Sequence, residues 1–288
     1  MRPRSGQIFI GVFLVLMAQD CAAQLTRRTL LTSDGVTLSL LEAGRDHASK
    51  SNLTVALITG WSMPAAIWQG QLERFGRRYH ALALDPRGQG ESQVPPDGFT
   101  AERRATDLKE FLEPYSKVLL IGWSLGAIES LQYLHMFGAK RLAGMVLVDS
   151  SVGEDPAPAS DGTFLQALRD DRDKTLDGFV RAIFKKHRSD ADVAALVNGA
   201  KRMPLEKSIA LLSYPFPRTH WKQIVHGFNK PLLYVVTPQF AAQAQNLRRN
   251  RPGTKVEIFK AAGHTLFVDE PARFNALVLR FAQSLPPR

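Results

Sequence analysis

The sequence predicts an α/β fold: a mostly parallel, doubly wound sheet with a helical cap inserted after its sixth strand. Three observations carry that reading. Strand-like and helix-like runs alternate from Leu53 to Asp149, the pattern of a parallel sheet covered by helices on both faces. The alternation breaks over residues 150–228, where helical stretches follow one another without clear strands, and it resumes at Pro231. A chain of 288 residues with 44% apolar composition is also long enough to bury one large core.

Taken in order, Leu25–Leu31 and Thr37–Glu42 read as a hairpin, because Asp34-Gly35 between them supplies a tight turn. Leu53–Thr59 is apolar and β-branched, the mark of a central strand. Ile67–Phe75 reads as a short amphipathic helix and His80–Leu84 as the next strand, ending in Asp85-Pro-Arg-Gly-Gln-Gly90. Ala101–Leu112 is a helix that stops ahead of Pro114. Lys117–Ile121 is a strand, Leu125–Phe137 a helix and Leu142–Val148 another buried strand. Helical stretches Phe164–Arg172, Leu176–His187 and Ala191–Lys201 follow, then a Pro-rich piece at Pro215-Phe-Pro217. Strand Pro231–Val236, helix Phe240–Asn250, strand Lys255–Phe259 and helix Pro271–Ser284 complete the pattern. The expected division is a sheet core of residues 24–149 and 229–288, with residues 150–228 as the cap.

The N-terminus reads as an address. Met1–Arg4 is basic, Ile8–Ala18 is apolar but too short to span a bilayer comfortably, and Cys21-Ala22-Ala23 offers small residues for cleavage. Residues 1–23 are therefore expected to be a signal peptide cut after Ala23, leaving a secreted or periplasmic chain with no stable membrane insertion. Lipidation at Cys21 is the rival, and Asp20 stands where that site needs a small residue. Cys21 is the only cysteine, so the cleaved chain has neither a disulfide nor a thiol nucleophile. The net charge of +10 is scattered, its densest cluster being Lys185-Lys186-His187-Arg188, and no nucleic-acid motif accompanies it. No nucleic-acid partner is expected, and the oligomeric state stays open. With no phosphate-binding glycine loop and no metal frame around His220 or His226, no cofactor and no metal are expected.

Chemistry concentrates at Gly122-Trp-Ser-Leu-Gly126, a G-x-S-x-G turn between a strand and a helix. Gly122 and Gly126 let the strand turn sharply and the helix pack close, which holds the Ser124 hydroxyl exposed on a strained backbone. Two further segments stand in matching order: Asp85–Ser92, and Ala262–Pro271 near the C-terminus. On these motifs the chain resembles the α/β-hydrolase superfamily, and within it the small serine esterases and perhydrolase-like enzymes, from about Leu25 to Leu285.

The resemblance implies that Ser124 is the nucleophile and that His264, in Ala-Ala-Gly-His after the last strand, is the base a serine hydroxyl needs. It also exposes a departure. The superfamily's commonest acid lies just past the seventh strand, and here no Asp or Glu occurs from Thr237 through Val256. Asp149, ending the sixth strand, is the replacement expected from members that carry their acid there. A Ser–His dyad helped by Thr237 or Gln239, or an acid from the cap, are the alternatives. Asp269 and Glu270 follow His264 too closely for that role and are expected to charge the start of the final helix.

For the oxyanion, the backbone N–H of Leu125 is one expected donor. By resemblance Trp61 is the second, in a turn where Thr59 replaces the usual His. Met63 and Trp123 are expected to line an apolar substrate pocket. Asp85–Ser92 reads as a structural turn tied by Asp85 and Arg87. The function expected is a secreted serine hydrolase acting on a small carboxylic ester through an acyl-enzyme. Perhydrolysis, thioester, amide or C–C hydrolysis, and a non-catalytic binder, are the alternatives. A Ser rather than an Asp at the elbow argues against dehalogenase and epoxide-hydrolase chemistry.

Overall fold

Eight strands form one sheet in the order β1-β2-β4-β3-β5-β6-β7-β8 in the computed structural model, which describes residues 23–47, 52–158 and 162–286. They are β1 (Thr26–Leu31), β2 (Thr37–Ala43), β3 (Thr54–Ile58), β4 (His80–Asp85), β5 (Val118–Trp123), β6 (Leu142–Val148), β7 (Leu232–Val236) and β8 (Lys255–Ile258). The β1–β2 hairpin pairs antiparallel with itself and with β4, and β3 to β8 run parallel. Parallel strands put all their C-terminal ends on one edge, so the turns after β3, β5, β6, β7 and β8 open there together. The expected signal peptide, apart from Ala23, lies outside the described residues.

Helices α1 (Gln69–Phe75), α2 (Ala101–Leu112) and α3 (Leu125–Phe137) alternate with the strands; Thr100 caps α2 by accepting from the Arg103 N–H. The period of two along β5 divides its side chains between two cores. Leu119, Ile121 and Trp123 meet α1 through Leu72 and Phe75, whereas Val118 and Leu120 meet α2 and α3 through Leu108, Phe111 and Leu131. Both faces are covered, which is why these strands read as unbroken apolar runs.

Among the described residues, five helices lie between β6 and β7: α4 (Thr163–Asp170), α5 (Arg172–Ile183), α6 (Asp190–Lys201), α7 (Leu205–Leu212) and α8 (Arg218–Gly227). Asp171 interrupts the expected Phe164–Arg172 run, because its side chain caps α5 by accepting from Lys174 N. The sequence pattern did not single out α7 and α8, which are short and each preceded by a proline, Pro204 and Pro217. Apolar residues of α4 to α7 join the core on the α1 side, including Leu168, Val180, Val197 and Leu211. Helix α8 joins the other face through Trp221, Ile224 and Val225, beside α3. The chain then closes with α9 (Ala241–Asn250), a single turn α10 (Leu266–Asp269) and α11 (Pro271–Gln283). No helix among the described residues is long and apolar enough to cross a membrane.

Candidate active site

Ser124 sits between β5 and α3 at φ 54° and ψ −120°. A non-glycine residue held there stores strain of about 1–3 kcal/mol, offset by the packing around it. That packing explains both glycines. A Cβ on Gly122 would lie 2.4 Å from the Gly126 carbonyl oxygen, and one on Gly126 would lie 2.6 Å from the carbonyl oxygens of Ile58 and Thr59. The elbow therefore closes tightly on itself and against the end of β3. The Ser124 N–H donates to Val148 O at 2.9 Å, tying the elbow to the end of β6.

Asp149 is the next residue after β6 and also has a positive φ, 43°. Its N–H donates to Val235 O at 2.8 Å. Its buried carboxylate accepts the Thr237 N–H on Oδ1 at 2.6 Å and faces His264 Nδ1 on Oδ2 at 2.7 Å. Of the sequence-expected candidates for acid, the structure thus brings Asp149 to His264. Thr237 contributes its backbone to orient that carboxylate, and Gln239 lies exposed. His264 keeps 24% of its side chain accessible, and its carbonyl accepts Trp123 Nε1 at 2.9 Å, so the residue preceding Ser124 anchors the histidine loop.

Asp269 does not act on the final helix as expected. It is buried, and its carboxylate accepts three backbone N–H groups: Gly263 at 2.8 Å, Lys185 at 2.9 Å and Lys186 at 3.0 Å. Both the N–H and the hydroxyl of Thr265 donate to Ile183 O at 2.9 Å. His264 is therefore clamped on either side to the segment leaving α5. Gly263 is obligatory there, since a Cβ would lie 2.7 Å from Lys185 N. This role escaped sequence reasoning because two of the three donors are backbone groups 83 and 84 residues away; the nearest signal was an acid in a short loop after the histidine.

The turn after β3 places Gly60 against the elbow: a Cβ there would lie 3.2 Å from Ser124 Cβ. Trp61 carries the next N–H. Its indole is buried in the cap, where Nε1 donates to Ser208 O at 2.7 Å and the ring packs edge-on against Phe164 and Phe179. Leu125 opens α3, so its N–H has no acceptor within the helix. The expected pocket residues are corrected by the structure. Met63 has no accessible surface, and Trp123 packs behind His264 against Trp68 and Phe267. Both are core side chains, belonging to the apolar cluster that also holds Trp68, Leu72 and Phe267. The Asp85–Ser92 turn is tied as a structural element: Asp85 Oδ1 accepts Ala65 N at 2.6 Å, and buried Arg87 pairs with Asp107 at 2.6 Å and Asp34 at 3.0 Å.

Comparisons agree with this architecture. A family model described as the alpha/beta hydrolase family matches residues 55–277. A pimeloyl-[acyl-carrier protein] methyl ester esterase from Yersinia enterocolitica is 24% identical over 261 residues, covering 80% of this chain and 93% of that protein. A non-heme chloroperoxidase from Kitasatospora aureofaciens is 30% identical over 122 residues, 41% of this chain and 42% of that protein. Among solved structures, an esterase from Exiguobacterium antarcticum matches with a TM-score of 0.75 at 20% identity, over 89% of this chain and 99% of that one. A bromoperoxidase from Bacillus anthracis matches at 0.77 and 20%, over 90% and 100%. At such identities the structural likeness shows the fold.

Proposed function

Since the chain belongs to the α/β-hydrolase family, we propose that it is a serine hydrolase cleaving a carboxylic ester through Ser124, His264 and Asp149. The observation that carries the reading is the 2.7 Å contact between His264 Nδ1 and Asp149 Oδ2 at the edge where Ser124 sits. The esterase relatives support the choice of an ester.

In this reading Asp149 holds the His264 tautomer that leaves Nε2 free to accept a proton. Ser124 Oγ attacks the acyl carbon as Nε2 takes its proton, giving a tetrahedral intermediate. The N–H groups of Leu125 and Trp61 receive the oxyanion. His264 returns the proton to the departing alkoxide, and the acyl group stays on Ser124. Water then attacks with the same proton relay and releases the carboxylic acid. Residues 1–23 direct the chain to the periplasm or outside the cell, and the substrate is a small-molecule ester met there.

The test is turnover of p-nitrophenyl esters from C2 to C12 by the chain starting at Gln24, beside Ser124→Ala. Turnover lost in the variant supports the reading, and the best acyl length sizes the site. A folded wild type that turns over none of them, and whose Ser124 a fluorophosphonate does not label, overturns it.

A further inference from the structure

We propose that Gln89 is the positioning residue of the oxyanion turn, its side-chain amide setting the direction of the Trp61 N–H. The inference rests on the serine-hydrolase reading of Ser124.

Gln89 is 1% exposed and lies in the glycine-rich turn after β4. Its Nε2 donates to Gly60 O and Met63 O, each at 2.9 Å, and its Oε1 accepts from Arg104 Nη2 at 3.0 Å. The partners dictate which end is which, because carbonyls only accept and a guanidinium only donates. Gly60 C=O and Trp61 N–H belong to one planar trans peptide, so they point in opposite directions. A donor fixed on Gly60 O therefore aims the Trp61 N–H away from Gln89. That same peptide lies against the nucleophile, as the 3.2 Å approach of a Gly60 Cβ to Ser124 Cβ shows.

Within the turn, the Met63 N–H also donates to Gly60 O, but at 3.2 Å, longer than the 2.9 Å bond from Gln89. Thr59 Oγ1 and Ser62 Oγ are buried without a hydrogen-bond partner among the described residues, and Ser62 has a strained φ of 58°. Gln89 itself is held firmly. Arg104 pairs with Glu129 at 2.8 Å and donates to Arg87 O at 3.0 Å. Glu129 belongs to α3, the helix that begins with Leu125, and also accepts from the Tyr214 hydroxyl at 3.1 Å. The two oxyanion donors are thereby referenced to one frame: Leu125 opens α3, and Trp61 is tied to the same helix through Gln89 and Arg104.

The experiment compares the wild type with Gln89→Met and Gln89→Glu, on the best p-nitrophenyl ester and on a trifluoromethyl ketone of matching chain length, whose hemiketal oxyanion mimics the intermediate. Gln89→Met removes donor and acceptor at constant size. Gln89→Glu keeps the Arg104 contact and replaces the donor with an acceptor facing the Gly60 and Met63 carbonyls, so it remains informative if the Met variant fails to fold. Each folded variant is expected to lose kcat roughly 10- to 100-fold, short of the ~10²–10³ for deleting a donor outright, and to bind the ketone weaker by the same factor. KM should stay within about twofold, because the ground-state ester makes little use of the oxyanion site. A folded Gln89→Glu with wild-type kcat and ketone affinity, or a loss confined to KM, overturns the inference alone. A wild type unlabelled by fluorophosphonate at Ser124 overturns the enzymatic reading and this inference with it.

Discussion

His264 Nδ1 faces Asp149 Oδ2 at 2.7 Å, while the other oxygen of the same carboxylate accepts the Thr237 N–H at 2.6 Å. The carboxylate is thus held by the residue just past β7 as it meets the imidazole from the loop after β8. Asp149→Asn keeps an oxygen for Thr237 but turns an NH₂ toward Nδ1, which favours the wrong histidine tautomer. We expect kcat to fall about 10²–10⁴-fold with an unchanged circular dichroism spectrum. Near wild-type turnover removes Asp149 from the mechanism.

Asp269→Ala leaves three backbone N–H groups, those of Gly263, Lys185 and Lys186, without their buried acceptor. Hydrogen bonds to a charged group contribute about 1.5–3 kcal/mol each, so the loss in urea unfolding should reach about 3 kcal/mol or more. Because His264 follows Gly263 directly, kcat should fall as well at temperatures where the variant is fully folded. A loss below about 1 kcal/mol contradicts the clamp.

Trp61→Phe keeps the backbone N–H and an aromatic ring against Phe164 and Phe179, and deletes only the indole donor to Ser208 O. The expected destabilisation is about 1 kcal/mol. Amide hydrogen exchange should quicken in α7, where that carbonyl lies, and leave β5 and β6 unaffected. Unchanged exchange in α7 shows that the cap is held there by apolar contact alone.

Acid sensitivity should trace in part to Glu42. Burial opposes its ionisation, yet hydrogen bonds from His80 and Arg28, with the Arg28 charge, hold the carboxyl below its ordinary value of 4.5. A depressed folded pKa stabilises the fold above the unfolded pKa, and that contribution disappears as pH falls through the folded value. Glu42→Gln should lower the melting temperature at pH 7 and flatten its decline below about pH 4.5. Parallel melting curves for the two proteins down to acid pH refute this assignment.

Local chemistry made much of the molecule legible in the chain. Asp34-Gly35 announced the β1–β2 hairpin, and Gly35 takes the positive φ of 79° that its turn demands. The spacing of Gly122 and Gly126 around Ser124 announced the elbow, because the steric need they meet arises within five residues and the end of one neighbouring strand. The helices α7 and α8 were less legible, being short and held mainly by their packing.

What the sequence by itself determined is the alternation that builds the sheet, the strained serine turn and the histidine loop, all written in contiguous residues. The tertiary structure decided which acid meets His264, that Asp269 serves the cap clamp rather than a helix end, and that Met63 and Trp123 pack inward. The physical reason is common to all three. Each depends on which strand ends and helices become neighbours, and parallel pairing brings together groups 80 to 150 positions apart that no local pattern connects.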